Sequence, residues 1–167
     1  MRAIVDENVA IVANDVSRQI KQAPQASIAC RMACIDALKK VVKNGIVVLD
    51  DAGEVLAKYR HYLNGRGLPG VGDAFLRHIV ENQYNPRKVR RQALRRNEDG
   101  SFADFPVDAS LARFDPADRI FVALACAVSD RCSILNAVDS DYSIHIKDLS
   151  SFGVEVVELC PDCLRKG

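Results

Sequence analysis

The 167-residue chain has the length of one domain with a sizeable core, and its 49% hydrophobic and 27% charged residues are ordinary for a globular protein. This balance excludes disordered and fibrous classes, and no apolar run approaches the roughly 18 residues that span a bilayer, so we expect no membrane partner. With a net charge of +1, polyanion binding would need a local basic patch. Charges follow Met1 too early for a secretory signal, so we expect a cytoplasmic protein whose six cysteines are reduced thiols.

The first part of the chain alternates strand and helix patterns. Residues 2–5 form a short β-type run, and turn-forming residues interrupt the stretch 9–26, which predicts a broken helix or a loop. Apolar residues recur every three or four positions over 27–43, the spacing of a helix. The continuous apolar run 46–49 predicts a strand covered on both faces, and a second helix follows over 52–63.

The middle of the chain is less regular. Residues 64–72 contain four glycines and predict a flexible connection or a lid, after which the apolar spacing of 73–83 predicts a helix. Within the irregular segment 84–114, residues 87–96 suit either a strand or a helix. The turn-forming residues 97–100, which precede two phenylalanines, indicate a hairpin.

The last part of the chain returns to alternating elements. Asp115 suits the N-cap of a helix whose interior, residues 120–128, is apolar on nearly all sides and therefore buried. Residues 133–138 and 154–159 predict strands, and a loop or short helix is expected over 140–151. This alternation favours an α/β fold with a central, mainly parallel sheet and helices on both faces.

Acidic residues follow the predicted strands at their carboxyl ends. Asp6 ends the first strand, Glu54 follows the second, and Asp139 and Asp141 follow the third, while Asp118 begins the buried helix before that strand. Ligands of open α/β sheets bind at this edge. Carboxylates that converge there repel one another unless a hard cation such as Mg²⁺ or Mn²⁺ binds between them. Together these residues therefore predict a metal site.

Each acidic residue also has a purely structural explanation. Glu54 and Lys58 have the spacing of an ion pair on a helix surface. Asp118 could take part in helix capping, and the remaining acids could end strands in turns. The metal site is favoured because the structural explanation needs acids at every strand end by coincidence.

Four short motifs, together with Glu54 at the start of the helix that follows the second strand, occur in a fixed order. Residues 4–8 contain Asp-x-Asn after a strand, residues 118–125 an Asp before an alanine-rich helix, residues 134–142 a strand ending in Asp-x-Asp-aromatic, and residues 153–157 a closing strand. In this order the chain resembles the PIN-domain family of small metal-dependent ribonucleases, which includes many bacterial toxins.

The resemblance implies a three-layer α/β/α sandwich with a central, mainly parallel sheet over residues 1–160. The basic segment 84–114 would be an addition, and residues 161–167 a C-terminal tail. It implies hydrolysis of RNA phosphodiester bonds by metal-activated water, leaving a 5′-phosphate and a 3′-hydroxyl. The Mg²⁺ or Mn²⁺ ligands that it implies are Asp6, Glu54, Asp118 and Asp139, with Asp141 as an auxiliary residue.

The chain also departs from the family pattern. Glu7 stands where the family has a small residue, and Asn136 and Ala137 stand where a Ser or Thr is frequent. The stretch between Glu54 and Asp118 is longer and more basic than in minimal toxins. Two settings are therefore compatible with the resemblance: a toxin neutralised by an antitoxin or other regulatory protein, and a stand-alone RNA-processing or defence nuclease. By analogy we expect a homodimer.

Six positive charges occur within ten residues of the middle segment. Such a cluster predicts salt-dependent RNA binding near the active site, and its structural alternative is a solvated face or an arm for an acidic partner. The predicted RNA-binding residues are Arg87, Lys88, Arg90, Arg91, Arg95 and Arg96.

Cys160 and Cys163 form a Cys-x-x-Cys motif near the end of the chain. Zinc would need two further ligands, and no second pair has the usual spacing, so a zinc or redox role stays the less favoured interpretation. The other cysteines lie in or beside helical patterns and are predicted to be core thiols: Cys30, Cys34, Cys126 and Cys132.

Two other classes of function are compatible with the sequence. A non-catalytic module would keep the fold and use the basic cluster to hold RNA or an acidic partner. A receiver-like signalling domain would need a phosphoacceptor Asp on a middle strand and a Lys on a later one, and the sequence does not place that pair.

Overall fold

The computed structural model describes residues 1–14 and 26–164. The strands in these ranges are β1 (Arg2–Val5), β2 (Ile46–Asp50), β3 (Val89–Gln92), β4 (Ser133–Asn136) and β5 (Glu155–Glu158). The helices are α1 (Glu7–Ala13), α2 (Ile28–Asn44), α3 (Glu54–Tyr62), α4 (Val71–Asn82), α5 (Arg119–Ala127), α6 (Ser140–Ile144), α7 (Ile146–Ser151) and α8 (Pro161–Leu164), with a 3₁₀ turn at Ala109–Leu111. No helix in the described ranges is long and apolar enough to cross a membrane.

The five strands form one open sheet in which every pair is parallel, in the order β3-β2-β1-β4-β5. Ala3 of the central strand pairs with Val47 on one side and with Ser133 on the other. From β1 the chain proceeds outward to β2 and β3, and then from β4 outward to β5, so the strand order reverses between β1 and β4. The α/β class and the parallel sheet predicted from the sequence are confirmed.

Burial explains why the central strands are continuous apolar runs. Ala3, Ile4 and Val5 of β1 are fully buried, as are Val47 and Val48 of β2. A strand that is covered on both faces has no solvent side and therefore no alternation of polar residues. Helices α1, α2 and α4 pack against one another, and α5 packs against β1, β2 and β4.

Two element boundaries differ from the sequence prediction. β1 leads at once into α1, because Asp6 caps this helix by accepting a hydrogen bond from the Asn8 backbone N–H (2.9 Å). Residues 15–25 of the predicted broken stretch lie outside the described residues. α5 begins at Arg119 and not directly after Asp115, because the Asp115 carboxylate accepts from the Ala117 N–H (2.9 Å) and closes a separate turn.

Residues 87–96 of the basic middle segment suited either a strand or a helix. The structure places the edge strand β3 there. Arg96 and Phe102 then form an antiparallel bridge around the predicted turn. Residues 140–151, predicted as a loop or short helix, form the two short helices α6 and α7.

The glycine-rich loop before α4 is fastened by one buried carboxylate. Asp73 accepts from the backbone N–H groups of Asn64 (2.7 Å) and Gly70 (3.0 Å) and from the Asn14 side-chain amide (2.7 Å). α4 also crosses α1 so closely that a Cβ on Gly72 would lie 2.1 Å from the Ala10 carbonyl oxygen. The loop is therefore anchored to both helices.

The cysteines differ from the prediction of six free thiols. Cys30 of α2 and Cys160, just before α8, form a disulfide that joins positions 130 residues apart. Cys34 lies one helical turn after Cys30, and its Sγ is 3.9 Å from the Cys160 Sγ. The prediction of free thiols is wrong for the bonded pair because α8 returns to the start of α2, a contact that sequence spacing does not reveal.

Candidate metal centre

Three carboxylates converge at the edge of the sheet where the strand order reverses. Asp6, Asp118 and Asp139 each contribute an oxygen, and these oxygens lie within 4.8 Å of one another. Asp6 follows β1, Asp139 follows β4, and Asp118 precedes α5. The crevice beyond the carboxyl ends of two strands at such a reversal is the usual ligand site of an open α/β sheet. We call these three residues the carboxylate cluster.

Asp6 is held from several sides. Its backbone N–H donates to the Leu135 carbonyl oxygen of β4 (3.1 Å). One carboxylate oxygen accepts from the Asn8 N–H, and the other accepts from the Tyr142 hydroxyl (3.0 Å). The side chain is 2% exposed, so its orientation is fixed by these donors and not by solvent.

Asp139 is positioned by a network around the buried side chain of Asn136. The Asn136 amide donates to the Asp139 carbonyl oxygen (2.8 Å), and the Asp139 N–H donates to Asn136 Oδ1 (3.2 Å). Asn8 of α1 donates to the same Oδ1 (3.0 Å) and accepts from the Ala137 N–H (2.9 Å). The Asp139 carboxylate itself accepts from the Asp141 N–H (2.8 Å). The end of β4 is thereby fixed against α1, next to Asp6.

A lysine contacts the carboxylate cluster from α3. Lys58 Nζ lies 2.8 Å from Glu7 Oε1 and 3.2 Å from Asp118 Oδ1, and 5.0 Å from the centroid of the Phe121 ring. The sequence spacing suggested an ion pair between Lys58 and Glu54, but the ammonium group contacts Glu7 and Asp118 instead. It supplies positive charge to one side of the cluster.

Burial and mutual repulsion favour protonated carboxyl groups in this cluster. Burial raises the pKa of Asp6 well above its ordinary value, and the charges of Glu7 and Asp118 raise it further. Burial likewise raises the pKa of Asp118 to about 7, with Lys58 opposing the rise and Asp139 adding to it. Burial is also the main cause of the raised pKa of Asp139. A bound cation would reverse this preference by stabilising the ionised forms.

Lys58 remains charged in this surrounding. Burial lowers the pKa of the ammonium group, but the hydrogen bond and charge of Glu7 and the charge of Asp118 outweigh burial, so the pKa is raised overall. One positive charge therefore faces four acidic side chains, those of the cluster and Glu7.

The donor set fits a hard divalent cation. All the converging atoms are carboxylate oxygens, which Mg²⁺ and Mn²⁺ prefer. In addition, Glu7 Oε2 is buried and has no hydrogen-bond partner among the described residues. A buried carboxylate oxygen without a partner is costly, and a cation beside it would remove that cost.

Two predicted metal ligands lie outside the carboxylate cluster. The side chain of Glu54 is 47% exposed and forms an ion pair with Arg96. Asp141 accepts from the Asp115 backbone N–H (2.8 Å), which ties the turn before α5 to α6. Glu54 follows β2, one strand further from the reversal point than β1, and this explains its distance from the cluster.

The buried carboxylate at the end of β2 has a structural role. Asp50 is 2% exposed and accepts from the backbone N–H groups of Glu54 (2.8 Å) and Val55 (2.9 Å). It thus satisfies two donors at the start of α3, as an N-cap does.

The basic side chains are divided between the two edges of the sheet. Lys88 contacts the carbonyl oxygens of Val42 and Lys43 at the end of α2, and Arg90 pairs with Asp130 (2.8 Å), before β4. Both partners lie at the amino edge, opposite the carboxylate cluster.

The remaining arginines lie towards the carboxyl edge or in solvent. Arg91 donates to the Asp51 carbonyl oxygen, and Arg95 forms a two-pronged pair with Asp104 (2.7 and 3.0 Å). Arg96 pairs with Glu54 and lies 3.8 Å above the Phe102 ring, while Arg87 is exposed.

A groove of about 300 Å³ opens beside the start of α5. Phe102, Phe105 and Arg119 contribute to its lining, with Asn97 and Ser101 at the hairpin. Arg119 directly follows Asp118 in the chain, and its guanidinium donates to the carbonyl oxygens of Ala112 (3.1 Å) and Phe114 (3.2 Å) on the groove side. Aromatic rings next to guanidinium groups form a surface suited to an unstacked base and its phosphate.

Several residues of this site were not identified from the sequence. Lys58 and Tyr142 act through contacts with distant parts of the chain, for which local patterns give no signal. Tyr142 is fully buried, and its hydroxyl donates to Asp6 (3.0 Å). The Asp-x-Asn motif was a usable signal for Asn8, because it follows a strand end directly.

No protein-family model matches this sequence, and comparisons with curated proteins and with solved structures find no similar protein.

Proposed function

We propose that this protein is a Mg²⁺- or Mn²⁺-dependent endoribonuclease of the PIN type. The observation that carries the proposal is the convergence of Asp6, Asp118 and Asp139 within 4.8 Å at the strand-order reversal. Three separate elements bring these acids together, and an accidental cluster of buried carboxylates would be strongly unfavourable.

We also propose that the helices form two layers, one on each face of the sheet. Parallel crossovers are almost always right-handed, which puts α1 to α4 on one face of the sheet and α5 to α7 on the other. The result is a three-layer α/β/α sandwich, as the PIN resemblance implies. The packing of α1, α2 and α4 against one another supports the first of these layers.

Asp6, Asp118 and Asp139 would hold the cation, with the unpaired oxygen of Glu7 beside them. A divalent cation at this point supplies charge neutralisation for a phosphodiester and lowers the pKa of water. Glu54 and Asp141, implied as ligands by the resemblance, would have to leave Arg96 and the Asp115 N–H to take part.

The protein side chains orient this site and balance its charge. Tyr142 donates to Asp6 and keeps that carboxylate turned into the crevice. Asn136 fixes the turn that carries Asp139. Lys58 neutralises part of the negative charge of Glu7 and Asp118, which lets a phosphate group approach an otherwise repulsive surface.

RNA is the substrate we propose, because basic and aromatic side chains follow β3 at the carboxyl end of that strand. The groove lined by Phe102, Phe105 and Arg119 can accept a base, and Arg96 pairs with Glu54, which follows β2. The protein would act in the cytoplasm, as a toxin with an antitoxin partner or as an RNA-processing or defence nuclease, and as a homodimer by analogy with PIN proteins.

The decisive experiment is cleavage of a mixed pool of structured RNAs by wild type and by Asp6→Asn. Each protein is assayed with Mn²⁺, with Mg²⁺ and with EDTA. Asn keeps the N-cap function at this position and the shape of the side chain, so Asp6→Asn removes the charge with little change to α1. We expect metal-dependent cutting by the wild type alone.

The second candidate function is a non-catalytic RNA- or protein-binding module. Lys58 is the observation that favours it, because an ammonium group inside the acidic site already replaces part of a metal's charge. Absence of metal-dependent cutting by the wild type, together with salt-sensitive RNA binding by both proteins, would support this module and reject the nuclease.

A further inference from the structure

We propose that the cysteines around α2 and α8 form a zinc site once the Cys30–Cys160 disulfide is reduced. The ligands are Cys30 and Cys34 from α2 and Cys160 and Cys163 from the C-terminal Cys-x-x-Cys motif. This site is separate from the carboxylate cluster and independent of the nuclease proposal.

The positions of three sulfurs already suit a tetrahedral ion. The Sγ atoms of Cys30, Cys34 and Cys160 lie within 4.8 Å of one another, and those of Cys34 and Cys160 are 3.9 Å apart. Zinc–sulfur bonds of about 2.3 Å in a tetrahedral site separate the sulfurs by about 3.8 Å. Reduction frees Cys30 and Cys160 to move apart from their bonded distance towards this separation.

The fourth ligand comes from the other end of the Cys-x-x-Cys motif. Cys163 Sγ is 3.8 Å from the hydroxyl of Ser27, the residue that caps α2 through the Cys30 N–H. The Cys163 backbone N–H donates to the Cys160 carbonyl oxygen (3.0 Å), which keeps the two cysteines within one turn of each other. The sequence offered no second cysteine pair at the usual spacing, but α2 supplies one at i and i+4 on a single helix face.

The chemistry of the set favours zinc over a disulfide-exchange centre. Cys34 is fully buried, so a dissolved disulfide-exchange partner cannot reach its sulfur. A soft divalent cation stabilises the thiolate directly and displaces its proton. The start of α2, a helix of 17 residues, adds positive potential next to Cys30.

Reduction of the Cys30–Cys160 disulfide consumes no other group of the protein. The S–S bond between Cys30 and Cys160 takes two electrons from a phosphine reductant and two protons from water, and the phosphine becomes its oxide. Zinc then binds the sulfurs as thiolates and releases their protons to the buffer.

The test is metal binding by the whole protein after phosphine reduction and removal of bound metal by chelation. Co²⁺ is the probe, because sulfur-to-cobalt charge-transfer absorption distinguishes this site from the oxygen ligands of the carboxylate cluster. We expect one such Co²⁺ per chain, displaced by Zn²⁺. Cys34→Ser and Cys163→Ser should each weaken binding at least about tenfold. The matched control is Cys126→Ser, an exposed thiol outside the cluster, which should bind like the wild type.

A second measurement needs no substitution. Zn²⁺ should protect the partly exposed Cys163 of the reduced wild type from alkylation and leave Cys126 reactive, as read by mass spectrometry. The proposal is overturned if reduced wild type shows no thiolate–cobalt absorption, if Cys34→Ser binds as tightly as wild type, or if Zn²⁺ does not protect Cys163. Protein with the disulfide intact should show no such absorption.

Discussion

At the scale of single residues, the balance of charge in the carboxylate cluster depends on Lys58. Its ammonium group contacts Glu7 and Asp118, and its stem passes Phe121. Lys58→Met keeps the stem and removes the charge. We expect a loss of about 1–3 kcal/mol in the free energy of unfolding of metal-free protein, because two carboxylates lose their partner. Mn²⁺ should restore more stability to the variant than it adds to wild type.

Thermal and denaturant unfolding with and without Mn²⁺ measure this effect. The control is Arg77→Met, which breaks the exposed pair with Glu81 and should cost under about 0.5 kcal/mol. Equal losses in the two variants, or equal gains from Mn²⁺, would contradict a charge role for Lys58.

Glu54 and Asp139 allow the ligands predicted from the site geometry to be distinguished from those implied by the family resemblance. Both Glu54 and Asp139 are implied as ligands, but only Asp139 belongs to the carboxylate cluster. We expect Asp139→Asn to lower RNA cleavage at least about 100-fold and Glu54→Gln to lower it less than about tenfold. Initial rates at saturating Mn²⁺ provide the measurement. A loss with Glu54→Gln as large as with Asp139→Asn would show that Glu54 leaves Arg96 and joins the metal.

The raised pKa of Asp118 predicts how stability depends on pH. Burial raises this pKa from 3.8 to about 7, so between these values the folded metal-free protein binds more protons than the unfolded chain. Its stabilising contribution is complete below 3.8 and is lost as the pH rises towards 7. The free energy of unfolding of Asp118→Asn should therefore fall by roughly 2–4 kcal/mol less than that of wild type over this pH range.

Urea unfolding at several pH values in EDTA measures this slope. Asp36→Asn, an exposed position on α2, is the control and should decline like the wild type. Added Mg²⁺ should also flatten the wild-type profile, because a cation stabilises the ionised carboxylates. A wild-type stability that rises between pH 4 and pH 7 in EDTA would contradict the assigned burial effect.

At the scale of elements, strand β3 divides the basic segment by function. Lys88 and Arg90 face partners at the amino edge, whereas Arg95 and Arg96 follow β3 at its carboxyl end. If RNA crosses the carboxyl edge, Arg95→Ala with Arg96→Ala should reduce the salt dependence of binding to single-stranded RNA by about 1.4 in log–log slope, as expected for two lost phosphate contacts.

The matched control is Lys88→Ala with Arg90→Ala, which removes the same charge from the opposite edge. Its slope should stay close to that of wild type when affinity is titrated over a range of salt concentrations. Equal reductions in both double variants would mean that bulk charge, and not the carboxyl edge, attracts the RNA.

The elements themselves were largely predictable because their signals are local. The apolar spacing of residues 27–43 and the continuous run 46–49 reflect burial on one face or on both, and α2 and β2 follow them closely. Asp115 shows the limit of such signals, since its capping side chain closes a turn before α5. A capping pattern identifies a bound N–H group, but it does not identify the element to which that group belongs.

The site was predictable only where acids follow strand ends directly. Asp6 and Asp139 follow the carboxyl ends of β1 and β4, which are adjacent parallel strands, so topology alone brings them together. Glu54, one strand further away, was assigned by the same pattern but pairs with Arg96. Lys58 and the cysteines of α2 had no sequence signal, because their partners come from elements that are distant along the chain.

At the scale of the whole molecule, a cation would join parts of the chain that otherwise meet through packing. Because the carboxylate cluster draws on β1, α5 and the turn after β4, metal binding should stabilise the entire fold. At a Mg²⁺ concentration of about 100 times the dissociation constant, the gain should be about 2.7 kcal/mol. Differential scanning calorimetry measures it. Asp6→Asn should lose most of the gain and Glu54→Gln should keep it; an unchanged gain in Asp6→Asn would exclude the cluster as the binding site.

The position of β1 has a consequence for synthesis of the protein. β1 leaves the ribosome before the other strands, but one of its two neighbours is β4, more than 120 residues later, so the centre of the sheet is completed late. Asp6 can cap α1 early, whereas its cluster partners Asp118 and Asp139 are translated more than 110 residues later. A nascent chain that ends before Asp118 therefore carries one carboxylate of three, and any activity that needs all of them waits until Asp139 has been translated.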